Sequence, residues 1–176
     1  TLNGENDTIE VLQTNKILTL KGLLTGTANL VKDGDGILVI QGNTNTYNGN
    51  TIIKKGKISL GDETANIGGL HGDIIFYNGV LNMFNNNSTY TQFYNNLVVN
   101  EGCTGTLITD VRCDIRGSLK GSGIFNYYVS YVRATIYGDW SGFKGTINIT
   151  TDGSGDFRFA NSKDLPEAIV KFGDGT

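Results

Sequence analysis

The single histidine of the chain, His71, lies in Leu70-His71-Gly72-Asp73, two residues from a carboxylate. A general base needs an orienting partner and a nucleophile or substrate proton within reach. Asp73 could share a strand face with His71 and orient its ring. The sequence nevertheless carries no serine nucleophile elbow and no second histidine to complete a metal pair. The expectation is a loop histidine with no catalytic role. Three acidic turns, Asp33-Gly34-Asp35-Gly36, Asp152-Gly153-Ser154-Gly155-Asp156 and Asp174-Gly175, set hard oxygen donors at alternate positions, as calcium requires. The glycine and distal glutamate of an EF-hand are missing, and so is a nonapeptide calcium coil. Turn formation accounts for these Asp-Gly pairs, so no metal and no cofactor is expected.

Asp110, Arg112, Asp114 and Arg116 fall at every second position, which on one continuous strand gives them a single outward face. With Arg133 they could form the charged wall on which pectin-cleaving β-helices work. Alternating signs on one face read more simply as solvated ion pairs, each contributing little. No catalytic residue is assigned, and an enzyme is not the favoured reading.

The aromatic residues are the stronger hint of binding. Phe125, Tyr127, Tyr128, Tyr131, Tyr137 and Trp140 cluster in the second half, with Tyr90, Phe93 and Tyr94 upstream. Sugar rings stack their C–H faces on exposed aromatic planes. The competing reading is that alternate members fill the interior of a strand array. Trp140 stands where the earlier, similar segment has Thr44, so the fold does not demand an aromatic there. A glycan contact is accordingly assigned to Trp140, Tyr127, Tyr128 and Tyr131, with a polysaccharide or surface glycan as partner.

The elements that must position these residues are short. Of 176 residues, 25 are Gly and one is Pro; charged residues make up 18% and apolar ones 38%. A disordered chain carries more charge and proline and fewer Ile, Val and aromatic residues. Asn, Thr, Ser and Gly dominate the polar set, favouring tight turns over helix. A net charge of −3 excludes a general nucleic-acid binder, which needs a basic face. The Lys54-Lys55-Gly56-Lys57 cluster reads as a solvated loop. No stretch reaches the roughly 20 apolar residues of a membrane span. The opening Thr1 and the unfinished turn Gly173-Asp174-Gly175-Thr176 suggest a piece of a longer exported chain, with further domains and any export signal elsewhere. Cys103 and Cys113 are too few for a disulfide framework or a zinc site. Cys113 alternates with Val111 and Ile115 and reads as a small buried residue.

Lys32 to Leu60 is the most regular stretch. Its alternating runs Ile37–Ile40, Thr51–Ile53 and Lys57–Leu60 are separated by Gly42-Asn43 and Asn48-Gly49-Asn50. Alternation predicts half-buried strands, and under thirty residues leave no room for a crossover helix. Further strands are expected at Ile9–Leu12, Lys16–Leu20, Ala28–Lys32, Asp73–Tyr77, Val80–Phe84, Leu97–Asn100, Thr106–Thr109 and Cys113–Leu119. Asn78-Gly79 suits a hairpin or a solenoid corner, and Asn85–Thr89 a protruding loop. Ile136–Gly145 repeats the pattern of Ile40–Gly49, with Tyr47 and Phe143 as matching structural aromatics, and Thr146–Thr150 takes the part of Thr51–Ile53. Self-similarity at this spacing points to stacked units. The chain is therefore expected to form one all-β domain over 1–176, a parallel β-helix of seven or eight coils of 20–25 residues, about 4.8 Å apart. An antiparallel β-sandwich is the alternative.

Gly34-Asp35-Gly36-Ile37-Leu38-Val39-Ile40, Gly42-Asn43, Thr46-Tyr47-Asn48-Gly49-Asn50-Thr51 and Lys55-Gly56-Lys57-Ile58-Ser59-Leu60 resemble the passenger-associated strand repeat of bacterial autotransporters. The resemblance is close over about thirty residues and weaker over Leu119–Phe159. It implies a right-handed parallel β-helix on an extracellular or cell-surface bacterial protein, and says little about activity. The expected function is a non-catalytic structural or display segment, adhesin-like in character. The alternative is a carbohydrate-binding module or an accessory part of a polysaccharide-degrading enzyme.

Overall fold

Short runs of alternating apolar residues bury only one face, and these runs bury it by stacking in parallel. The computed structural model describes residues 1–42, 45–61, 69–83, 91–110, 112–130, 133–152, 155–161 and 167–174. Among them are sixteen strands and no helix.

The strands fall into three walls visited in turn. The first wall takes β1 (Asn6–Glu10), β3 (Asn29–Asp33), β5 (Thr51–Ile53), the first parts of β7 (Ile74–Met83) and β9 (Leu97–Thr109), and β11 (Leu119–Gly121). The second takes β2 (Ile17–Leu20), β4 (Ile37–Ile40), β6 (Gly56–Leu60), the later parts of β7 and β9, β12 (Ile124–Val129), β14 (Thr146–Thr151) and β16 (Ile169–Asp174). The third takes β8 (Thr91–Phe93), β10 (Cys113–Ile115), β13 (Arg133–Ile136) and β15 (Asp156–Phe159). Neighbouring strands within each wall pair in parallel. Ile37–Ile40 lies beside Lys57–Leu60 in direct register, which excludes the antiparallel sandwich.

The chain is thus a parallel β-solenoid of about six turns. Down the second wall, Ile17, Ile37, Lys57, Val80 and Thr106 succeed one another, so a turn takes 20 to 26 residues. Seven or eight coils were expected. The second wall stacks eight strands, within that expectation, whereas the first stacks six and the third four, so complete turns number about six.

Inward side chains line up from rung to rung. Leu38, Ile58, Leu81, Leu107, Tyr127 and Ile149 form one column, all of them buried. The N-terminal turns pack mainly aliphatic residues around Tyr47 and Phe76, and the C-terminal turns add a cluster of aromatic ones. Trp140 meets Phe125 edge-on at 5.7 Å and Phe159 at 5.9 Å between ring centroids, and Tyr127 meets Phe157 at 5.5 Å. Edge-to-face pairs at this separation add to simple area burial.

Two sequence expectations change. Asn78-Gly79 makes no hairpin: β7 runs on from the first wall to the second, with a register shift between Phe76 and Asn78 where it turns the corner. Ile136–Gly145 does repeat Ile40–Gly49 in pattern, but one wall out of step. Ile40 lies on the second wall and Ile136 on the third; Thr51 opens a first-wall strand and Thr146 a second-wall strand. Different corners use the same aromatic-glycine step because each must bend the chain against the rung beneath. A Cβ on Gly49 would stand 2.3 Å from the Ala28 carbonyl oxygen, and one on Gly145 1.9 Å from that of Gly123. Tyr47 and Phe143 are both fully buried, as structural aromatics should be.

Candidate functional site: the outer face of the third wall

Period-two alternation sends Phe93, Ile115 and Ile136 into the core, and so turns the following residue of each rung outward. Those residues are Tyr94, Arg116 and Tyr137. The ladder extends through them, because Arg116 N–H donates to the Phe93 carbonyl at 2.7 Å and Tyr137 N–H to that of Ile115 at 2.8 Å. Tyr94 is 68% exposed and Tyr137 45% exposed. The Arg116 guanidinium carbon sits 4.1 Å from the Tyr137 ring centroid, a cation–π stack.

The preceding outward column runs Gln92, Asp114, Thr135, Arg158. Arg116 Nη2 donates to Asp114 Oδ2 at 3.0 Å, and Asp114 is almost wholly covered. The Tyr94 hydroxyl donates to Gln92, and Arg158 pairs with Asp156. Arg116 and Arg158 each have a carboxylate beside them, and Arg112 and Arg133, adjacent in register, stand on the same outer face. At the Tyr94 end the wall drops into an open depression of about 530 Å³, whose lining includes His71, Asp73, Gln92 and Asn95.

The residues assigned to a glycan from sequence fare differently. Trp140 has 0% of its surface exposed and donates its indole N–H to the Gly117 carbonyl at 3.3 Å. Tyr127 is equally buried, and desolvation pushes its phenol well above the usual range. Neither can offer a ring face to a sugar, which corrects the assignment for both. Trp140 fills a core gap between rungs that the earlier pattern match did not reveal. Tyr128 is half-buried, one residue out of phase with Tyr127 on the outer side of the second wall. Its neighbours there are Asn126 and Asn148, joined at 2.9 Å. Tyr131 and Tyr90 lie outside the described residues, as does the Asn85–Thr89 loop.

The remaining candidates are held by structural bonds. His71 Nε2 lies 2.5 Å from the Asn45 carbonyl, and its backbone N–H donates to the Tyr47 hydroxyl at 3.0 Å. That hydroxyl is 2.6 Å from Thr51 Oγ1, so the group stitches adjacent turns together. Asp73 Oδ1 accepts from Asn96 Nδ2 at 2.8 Å instead of orienting the imidazole. In the acidic turn at Asp33, one carboxylate oxygen accepts from Gly34 N–H, and Asp35 pairs with Lys55 at 3.0 Å. Of the four alternating charges, Asp114 and Arg116 do share a face, whereas Asp110 lies at a bend beyond β9 and accepts from Ser130. Cys103 and Cys113 are free thiols. Cys113 is buried on the third wall, and desolvation pushes it up to about 12.

Two arrangements escaped the sequence reading. The Tyr94–Arg116–Tyr137 column has spacings of 22 and 21 residues, visible only once the turn length is known. A corner ladder, Asn6, Asn29, Asn50, Asp73, Asn96 and Ser118, has the same period. Asn29 Nδ2 donates to Asn6 Oδ1 at 2.8 Å, and the backbone N–H of Asn50, Asp73 and Ser118 donates to the side-chain oxygen of Asn29, Asn50 and Asn96 respectively, at 2.8–3.0 Å. A search for one amide recurring every 21–23 residues would have found it. Comparison of the chain with protein-family models, curated proteins and solved structures gives no match in any of the three.

Proposed function

We propose that this chain is a non-catalytic structural segment of an exported bacterial protein, a rigid spacer that holds other parts of its protein away from a surface. The single observation that supports this most is the unbroken parallel pairing down the second wall from Ile17 to Lys171. Each rung contacts its neighbours, so stiffness along the stack comes from the repeat itself. At about 4.8 Å per rung, six turns contribute roughly 30 Å of axial length. Export and a bacterial surface come from the resemblance of Lys32–Leu60 to the autotransporter repeat. On the third wall Asp114 with Arg116 and Asp156 with Arg158 form outward ion pairs, which a spacer needs only for solubility.

The test is turnover. Purified protein incubated with a panel of neutral and acidic polysaccharides should release no reducing ends and no unsaturated products. Hydrolysis or lyase activity abolished by Asp114→Asn or Arg116→Ala would replace this reading with that of a polysaccharide-degrading enzyme.

A further inference from the structure

The chain has four arginines, Arg112, Arg116, Arg133 and Arg158, and all of them stand on the outer face of the third wall. No lysine falls in β8, β10, β13 or β15, although lysines outnumber arginines in the chain. Solubility asks for no such segregation, since either residue serves it on any wall. Arginine differs from lysine in its planar fork, which meets a carboxylate with two parallel hydrogen bonds.

Two of the four are already engaged, Arg116 by Asp114 and Arg158 by Asp156. Among the described residues, Arg112 and Arg133 form no ion pair, and the enclosed Nε of Arg133 has no hydrogen-bond partner. These two are also neighbours. Cys113 pairs with Ala134 in register, so the residues before them lie side by side on rungs about 4.8 Å apart. Like charges set opposite each other destabilise a sheet, and an enclosed donor without an acceptor adds to the cost. An anion bound between the two guanidinium groups offsets both. Asp110 and Asp152 at one corner and Asp139 at the other confine the positive surface to a strip one wall wide.

We propose that this strip binds an acidic polysaccharide, with a carboxylate of the polymer clamped between Arg112 and Arg133. The carboxylate accepts from both forks and acts as the counter-ion that the fold does not supply. Arg116 and Arg158, each held by its own carboxylate, keep spare donors for the hydroxyl oxygens of adjoining sugars. A narrow strip on a chain of net charge −3 suits one extended polymer and not nucleic acid, which needs a broad basic face. Peptides dock on sheet edges or apolar grooves, and here alternation turns Ile115, Ala134 and Ile136 into the core. The site stands whether or not the chain is a spacer.

The test is affinity electrophoresis through gels containing polygalacturonate, alginate or hydroxyethyl cellulose, with calorimetry on galacturonate oligomers. The expected result is retention by at least one of the two acidic polymers, none by hydroxyethyl cellulose, and release as salt is raised. Arg112→Gln and Arg133→Gln should each weaken binding roughly tenfold, the scale of a charge-assisted hydrogen bond. Arg112→Lys should recover only part of that loss, because it restores the charge without the fork. The double variant Lys54→Gln/Lys57→Gln removes two charges away from the third wall and should bind within about twofold of the parent. Unchanged circular dichroism and melting of the arginine variants separate a lost site from a lost fold. Four results would each overturn the proposal: no retention by either acidic polymer, equal retention by hydroxyethyl cellulose, tighter binding of single-stranded DNA than of polyuronate, or a loss in the lysine variant as large as in the arginine ones.

Discussion

Lys32 shows how much one residue's setting departs from its type. It occupies an interior column whose next members are Ile53, Phe76 and Val99, and its side chain is fully buried. Its ammonium donates to the carbonyls of Asp33 and Gly34 at 2.6 Å and of Lys55 at 3.2 Å, filling the bend between first and second walls. Desolvation lowers its pKa below the ordinary 10.5, and Asp33, Asp35 and Glu10 oppose that shift without cancelling it. In the window between the lowered folded value and 10.5, the unfolded chain binds more protons than the folded one. The Lys32 contribution to stability therefore rises with pH there. The denaturation midpoint of the parent minus that of Lys32→Met should be larger at pH 9.5 than at pH 7.5. A constant difference would mean that the ammonium titrates as it does in water. Cys113 and Tyr47, both raised by burial, weaken the fold as pH passes their unfolded values of 9.0 and 10.0, but they do so in parent and variant alike, so the difference between the two isolates Lys32. Nothing in the local sequence Asn29–Asp33 distinguishes Lys32 from a surface lysine, because the carbonyls that hold it come from the bend and from the next turn.

At the scale of elements, the corners carry the specificity. Gly56 adopts φ 66° at the bend into the second wall, and a Cβ there would stand 2.4 Å from the Gly34 carbonyl oxygen. Where the third wall meets the first, the amide ladder replaces strand hydrogen bonds that a bend cannot make. Asn96 accepts from Ser118 N–H and donates to Asp73, so Asn96→Ala removes two bonds at once. The expected loss is about 1–3 kcal/mol, the cost of part-buried groups left without partners. Chemical denaturation measures it directly, and a change below about 0.5 kcal/mol would show that water replaces the ladder. The strands themselves were legible from alternation. Ile37–Ile40, Thr51–Ile53 and the Gly56–Leu60 run stand where the pattern puts them, whereas the β7 corner did not read as continuous. Asn-Gly suits a hairpin and a bulged corner equally, since both need a backbone free of Cβ strain.

For the whole molecule, the change from aliphatic to aromatic packing along the axis places much of the C-terminal stability in few side chains. Trp140 touches Phe125, Tyr127, Phe157 and Phe159 with centroids 5.7–6.5 Å apart. Trp140→Ala should cost about 3–5 kcal/mol, as large-to-small core changes do. As the chain's one tryptophan, it should also emit blue-shifted fluorescence resistant to iodide until the protein unfolds. Emission at the wavelength of a solvated indole, or ready iodide quenching in the folded protein, would contradict its burial and return it to the surface. Because solenoid turns interact mainly with neighbours, the loss should fall first on the turns around β12 to β15 and spare those around β3 to β6.

Alternation, turn residues and recurrence were enough to determine an all-β array of short stacked strands, because these depend on local φ/ψ preference and on which face of a strand is apolar. The same reasoning identified Tyr47 and Phe143 as interior aromatics. Tertiary structure alone decided the exact turn length, and with it every long-range column. A shift of one residue turns a side chain from core to solvent, and a turn of 20 instead of 26 residues changes which side chains meet. Trp140 and Tyr127 went inward for that reason, and Tyr94, Arg116 and Tyr137, far apart in the chain, came to share one outer row.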